Sequence, residues 1–141
     1  FLLDVEFNTI QKDKILAAYL KKSKCKLLIS WHDFNKTPSD SQLRTKFKKM
    51  KKFSDVVKIV TVAKNVSDVS RLLSLYSIKS KNKIIAFCMG EQGKFSRILC
   101  LHLGSPFTYV SLGKAIAPGQ FSVDEIKSLS YWFILMSIKD F

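Results

Sequence analysis

Acidic residues are scarce in this chain of 141 residues: 11 Asp and Glu stand against 24 Lys and Arg, a formal charge of +13. Long apolar runs are missing too. None reaches the roughly 18 residues that a membrane-spanning helix needs, which argues against a membrane protein. Cysteine is limited to Cys25, Cys88 and Cys100. The number is odd and no CxxC or Cys/His ligand spacing occurs, so neither a disulfide framework nor a metal site is expected. The three read as reduced core thiols, which favours the cytoplasm. No GxGxxG or Walker loop is present, since "GEQG" fits neither, and a nucleotide cofactor has no support. The opening "FLLDVEF" carries two acids and lacks the regions of a signal peptide.

What is present is a globular composition. Hydrophobic residues make up 47% of the chain and the mean hydropathy is +0.06, values of a protein with a core and not of a disordered one. The excess lysine falls largely in two runs, "LKKSKCK" at 20–26 and "KFKKMKK" at 46–52. These read as solvated helix faces, while the charge as a whole can draw a small anion into a cleft. No stacking aromatics or recognition helix accompany them, so nucleic acid is not an expected partner.

Short apolar runs alternate with amphipathic segments, the βαβα order of a parallel sheet. The pattern predicts strands at about 1–7, 26–31, 55–62, 83–88 and 106–110, and helices at 10–22, 39–52, 67–78, 95–102 and 123–138. Cap signals support the helices: Ser39 or Asp40, Ser67, and Ser122 with Glu125 three residues later as a capping box. The unit lengths match those of a (β/α)8 barrel, yet a complete barrel takes about 250 residues. The chain is therefore either a smaller open sheet or part of a barrel.

Three features carry possible chemistry. Lys58 interrupts the β-branched run "DVVKIVTV", where an ammonium needs a partner. It either pairs with an acid or snorkels to an edge, or it is a desolvated amine able to form a Schiff base with a carbonyl. His32 follows the apolar run "LLISW", at the strand end where parallel α/β folds carry their active sites. The two lie 26 residues apart, about one β/α unit, so adjacent strands could present them together as nucleophile and general acid–base. Arg97 sits just inside a helix after the turn "CMGEQGKF", within reach of a substrate carboxylate or of a surface ion pair. Pro118-Gly119 makes a rigid turn that presents Gln120. His102 in "ILCLHLG" reads as structural, and Trp31 and Trp132 as core or rim residues.

The blocks "SWHDFNKTPS", "DVVKIVTVA", "AFCMGEQGKFSRIL" and "LGSPFTYVSLGKAIAPGQFSV" together resemble the type I 3-dehydroquinate dehydratases, in order and spacing, from Phe1 to the final helix. The resemblance implies a (β/α)8 TIM barrel and a cytoplasmic Schiff-base lyase of the shikimate pathway, needing no cofactor and no metal. It aligns Lys58 with the imine-forming lysine and His32 with the proton-shuttling histidine. Arg97, Met89 and Gln120 fall on substrate-binding positions: the carboxylate grip, a pocket methionine and a polar group of the lid. The implied substrate is the anion 3-dehydroquinate, dehydrated by syn elimination to 3-dehydroshikimate.

Two departures from the family accompany this. Ile116 stands two residues before the proline of "APGQ", where the family usually has serine, which makes the lid more apolar. The first strand resembles the fourth of the family barrel, so residues 1–141 are expected to be the C-terminal portion of one barrel domain, lacking the first three β/α units. The carboxylate that orients the histidine is expected to lie in those units, with Asp4 and Glu6 no substitute for it. The expected partners are the missing N-terminal half or a second copy, and a homodimer for the complete enzyme. An inactive half barrel serving only as a basic partner-binding module is the alternative.

Overall fold

The computed structural model describes residues 2–113 and 116–129. Strand β1 (Leu2–Glu6) leads into helices α1 (Phe7–Lys12) and α2 (Lys14–Lys22), then β2 (Lys26–Asp33) and α3 (Asp40–Met50). Strand β3 (Val56–Val62) follows, then α4 (Val66–Leu73) with a 3-10 turn at Ser74–Ser77, β4 (Lys83–Met89) and α5 (Ser96–His102). Residues 123–129 are helical. The four strands pair in parallel in the order β1-β2-β3-β4. This is the alternating α/β arrangement expected of a barrel portion.

Side-chain alternation divides the sheet into two faces. Ile29, Val57, Ile59, Ala86 and Cys88 point outward and are fully buried under Leu43, Phe47, Met50, Leu72 and Leu75 from the helices and the 3-10 turn. Each fully buried Leu or Phe contributes about 1.5–3 kcal/mol, so this layer holds the fold. On the other face, Leu28, Val60, Ile85, Phe87 and Met89 form a second cluster with Phe107 and Tyr109. The lysine runs are solvated as their pattern implies: Lys48 and Lys49 are exposed on α3 while Phe47 and Met50 of the same helix are buried.

Local chemistry explains where elements stop. The helix expected over 10–22 is broken, because Asp13 turns to extended geometry and its carboxylate caps α2 by accepting from Leu16 N at 2.8 Å. The capping box of α3 forms at Ser39, with Gln42 as its partner. At α4 the cap is Asn65 and not Ser67; its side chain accepts from Asp68 N at 3.0 Å. The Ser122–Glu125 box is present.

The strand expected at 106–110 does not form. The free edge of β4 is occupied by side chains: Tyr76 bonds the amide and carbonyl of Ala86, and Ser96 Oγ accepts from Cys88 N at 2.7 Å. With those groups satisfied, residues 107–110 cross the inner face without joining the ladder, and Ser111 makes a single parallel bridge to Ser122. Cys25 also departs from expectation: it is exposed, whereas Cys88 and Cys100 are buried free thiols. Burial raises the pKa of both buried thiols, which keeps them protonated at neutral pH. Trp132, Phe1 and the latter part of the helix expected at 123–138 lie outside the described residues. Among the described residues, no helix is long and apolar enough to cross a membrane.

Candidate active site

The sequence pattern of β1 decides the character of the inner face. Asp4 and Glu6 are two residues apart, so both project to the side that carries Lys58. Register completes the arrangement: Glu6 pairs with Ser30, and Ser30 with Lys58, placing the three in one row across β1, β2 and β3. His32 lies two residues farther along β2, opposite Val60. That offset corresponds to about 7 Å toward the C-terminal ends of the strands.

Both titratable side chains are paired. Lys58 Nζ lies 3.0 Å from Asp4 Oδ2, and the lysine is 8% exposed. His32 Nδ1 lies 2.8 Å from Glu6 Oε2. With Nδ1 against the carboxylate, Nε2 is left for other contacts. Within this chain the carboxylate against the histidine is Glu6, a contact that the reading of Asp4 and Glu6 as no substitute did not foresee; the acids at alternate positions of "FLLDVEF" were the available signal.

The loop after β2 is locked in place. Asp33 Oδ1 accepts from Asn35 N and Lys36 N, forming the turn. Thr37 Oγ1 then bonds Thr61 Oγ1 at 2.7 Å and the Val62 carbonyl at 2.9 Å, tying the loop to the end of β3. Phe34 stacks on the His32 ring, with centroids 5.7 Å apart and planes at 11°.

Arg97 is 3% exposed, and its Nε has no hydrogen-bond partner among the described residues. Its guanidinium lies 4.5 Å from the Phe87 ring centroid. Burial pulls its pKa down from the ordinary value, with the nearby Cys100 and Cys88 acting in the opposite direction. A buried guanidinium with an unsatisfied N–H favours an incoming anion.

The lid is the turn around Pro118. Gly90 at the end of β4 has φ 83°, and its amide donates to Pro118 O at 3.2 Å. Gly119 has φ 70°, and a Cβ there would overlap the Gly90 carbonyl oxygen, so two glycines are required for this close approach. Gln120 Oε1 accepts from Ile116 N at 2.9 Å and Ala117 N at 3.3 Å, which folds the lid on itself. Ile116 is 91% exposed at the rim.

These groups converge on one cleft of about 280 Å³, lined by His32, Lys58, Met89, Arg97 and Gln120, the five residues singled out from the sequence. Phe34, Phe87, Tyr109 and Ile116 complete its walls. His102, at the end of α5, is not among the lining residues. Asp4, Glu6 and Tyr109 were not foreseen as site residues. A lysine and a histidine each set against a carboxylate, a buried guanidinium and an apolar wall can together bind a small anion, form an imine at the amine and move protons through the imidazole.

Comparison with known proteins bears on family and fold. The family description Type I 3-dehydroquinase matches residues 1–135. A 3-dehydroquinate dehydratase of Dehalococcoides mccartyi strain CBDB1 is 40% identical over 129 residues, covering 89% of this chain and 57% of the relative. The solved 3-dehydroquinate dehydratase of Aquifex aeolicus superposes with a TM-score of 0.77 at 32% identity, over 94% of this chain and 60% of that one. The type I enzyme of Clostridium difficile, solved with covalent modified comenic acid, superposes with a TM-score of 0.78 at 31% identity, over 94% and 54%. The chain therefore spans little more than half the length of these curated relatives.

Proposed function

The chain belongs to the type I 3-dehydroquinase family, and from that premise we propose that it is the C-terminal portion of a barrel domain that dehydrates 3-dehydroquinate to 3-dehydroshikimate. The observation that carries the proposal is the convergence of Lys58, His32, Arg97, Met89 and Gln120 on one cleft, with Lys58 and His32 each held by a carboxylate.

In the proposed reaction the Lys58 amine adds to the substrate ketone and water leaves, so an ammonium and a carbonyl become an iminium and water with the positive charge conserved. The iminium acts as an electron sink and acidifies the neighbouring carbon. His32, oriented by Glu6, takes a proton from that carbon and delivers one to the departing hydroxyl; working from one face of the substrate accounts for syn elimination. Water then hydrolyses the imine and frees Lys58. Arg97 grips the substrate carboxylate, Met89 packs against the ring, and Gln120 holds the lid over it. The covalent ligand in the Clostridium difficile relative supports covalent chemistry.

The remaining β/α units join at β1. Among the described residues that strand is paired along one edge only, and Leu2 and Leu3 are 44% and 43% exposed. An unpaired edge with apolar side chains calls for further strands. Incubation of the assembled protein with 3-dehydroquinate and borohydride, followed by peptide mass spectrometry, tests the reading. An adduct on Lys58 that is lost in Lys58→Met is expected. A folded sample containing every chain of the assembly, yet unmodified at Lys58, would overturn it.

A further inference from the structure

The two cations of the cleft rest on aromatic faces that touch one another. The Lys58 ammonium lies 4.4 Å from the Tyr109 ring centroid, and the Arg97 guanidinium 4.5 Å from that of Phe87. The Phe87 and Tyr109 centroids are 6.0 Å apart. Phe107 meets Tyr109 edge-on at 5.7 Å and 66°, which holds its ring in place. One aromatic cluster, built from β4 and from the segment that lies across the inner face, therefore seats both charges.

We propose that Tyr109 is a positioning residue, whose ring face fixes the Lys58 nitrogen at a set separation from Arg97. The inference rests on the imine-forming role of Lys58. A lysine stem has four rotatable bonds, and a single contact leaves its tip several rotamers. Asp4, the other partner, is 40% exposed at its side chain, so water competes for that contact. The half-buried ring supplies a second contact. It also differs from a carboxylate in kind: a π face attracts the cation but cannot remove its proton. Because imine formation keeps one positive charge on nitrogen, the face that seats the ammonium seats the iminium as well. Lys58 and Arg97 thus keep a fixed spacing from the free amine to the covalent intermediate, which selects substrates whose ketone and carboxylate match it.

Tyr109→Leu and Tyr109→Phe in the assembled protein test this, with thermal melting confirming that both fold. Leucine removes the π face and phenylalanine keeps it. In NMR spectra, the Lys58 Cε protons should move downfield in Tyr109→Leu, as the ring-current shift is lost, and stay in place in Tyr109→Phe. The rate of borohydride-trapped adduct on Lys58 should fall roughly three- to thirty-fold in the leucine variant. The loss should appear in kcat more than in KM, since the Arg97 seat on Phe87 is untouched, and Tyr109→Phe should restore most of it. Unmoved Lys58 resonances in Tyr109→Leu, an unchanged trapping rate, or a Phe variant as slow as the Leu variant would each overturn the proposal. Resonances that respond as expected in a protein that forms no adduct would uphold the contact and sink the imine reading, which separates the two.

Discussion

The two faces of the sheet are made from alternate residues of the same four strands, yet they are built to opposite rules. Outside, Ile29, Val57, Ile59 and Ala86 are fully buried against helices that the chain itself supplies. Inside, the same strands carry Asp4, Glu6, Ser30, His32 and Lys58, with Arg97 buried beside them. The outer face gains stability by excluding water. The inner face sets Lys58 and His32 against carboxylates that stay partly open to water, and buries Arg97 at a cost in desolvation. One strand can serve both because its side chains alternate, and Val57 and Lys58 are neighbours in sequence without sharing an environment.

Substitutions on the two faces should therefore act in opposite senses. The largest effect is expected from Phe47→Ala, which empties a fully buried position under the outer face. It should cost about 3–5 kcal/mol in urea unfolding, and a loss below 1 kcal/mol would mean that this layer does not hold the fold. On the inner face, Arg97→Met replaces a buried cation, whose Nε has no hydrogen-bond partner among the described residues, with an apolar side chain of similar length. Stability should rise by about 1–3 kcal/mol, while KM for an anionic substrate increases. Destabilisation by that variant would place the guanidinium among the structural contacts and erase the contrast.

The smallest effect comes from Asp68, at the start of α4. Its carboxyl is held below the ordinary carboxylate range, first by the Lys64 amide and then by Arg71. A depressed folded-state pKa contributes stability at pH values above the unfolded-state value, and the contribution fades as pH falls through the folded-state value. Asp68→Asn should cost about 1 kcal/mol at pH 7, with the two melting curves converging in acid. A difference that persists unchanged at pH 2 would assign the loss to geometry and not to charge.

The strands β1 to β4 were legible because apolar, β-branched runs between amphipathic segments have few alternative structures. The site was legible in part. Lys58 stood out as a charge within an apolar run, and His32 as a polar residue at a strand end. Asp4 and Glu6 carried the same alternation signal, but which residue each would meet depended on the register between β1 and β2, which local sequence does not encode. The strand expected at 106–110 failed for a similar reason. "PFTYV" has strand composition, but the edge it needed was already bonded to Tyr76 and Ser96 from elsewhere in the chain. Asn65 displaced Ser67 as a cap because both residues suit that role and the backbone turns two residues earlier.

By itself the sequence determined the alternation of strands and helices and the division of each strand into two faces, and it singled out Lys58 and His32 as polar residues out of pattern. These follow from periodicity and side-chain type, which are local properties. Only the tertiary structure decided the pairings: Glu6 with His32, Asp4 and the Tyr109 ring with Lys58, Phe87 with Arg97. Coulomb and π interactions act over a few ångströms, and distances of that size between residues up to 54 positions apart exist only once the strands have aligned.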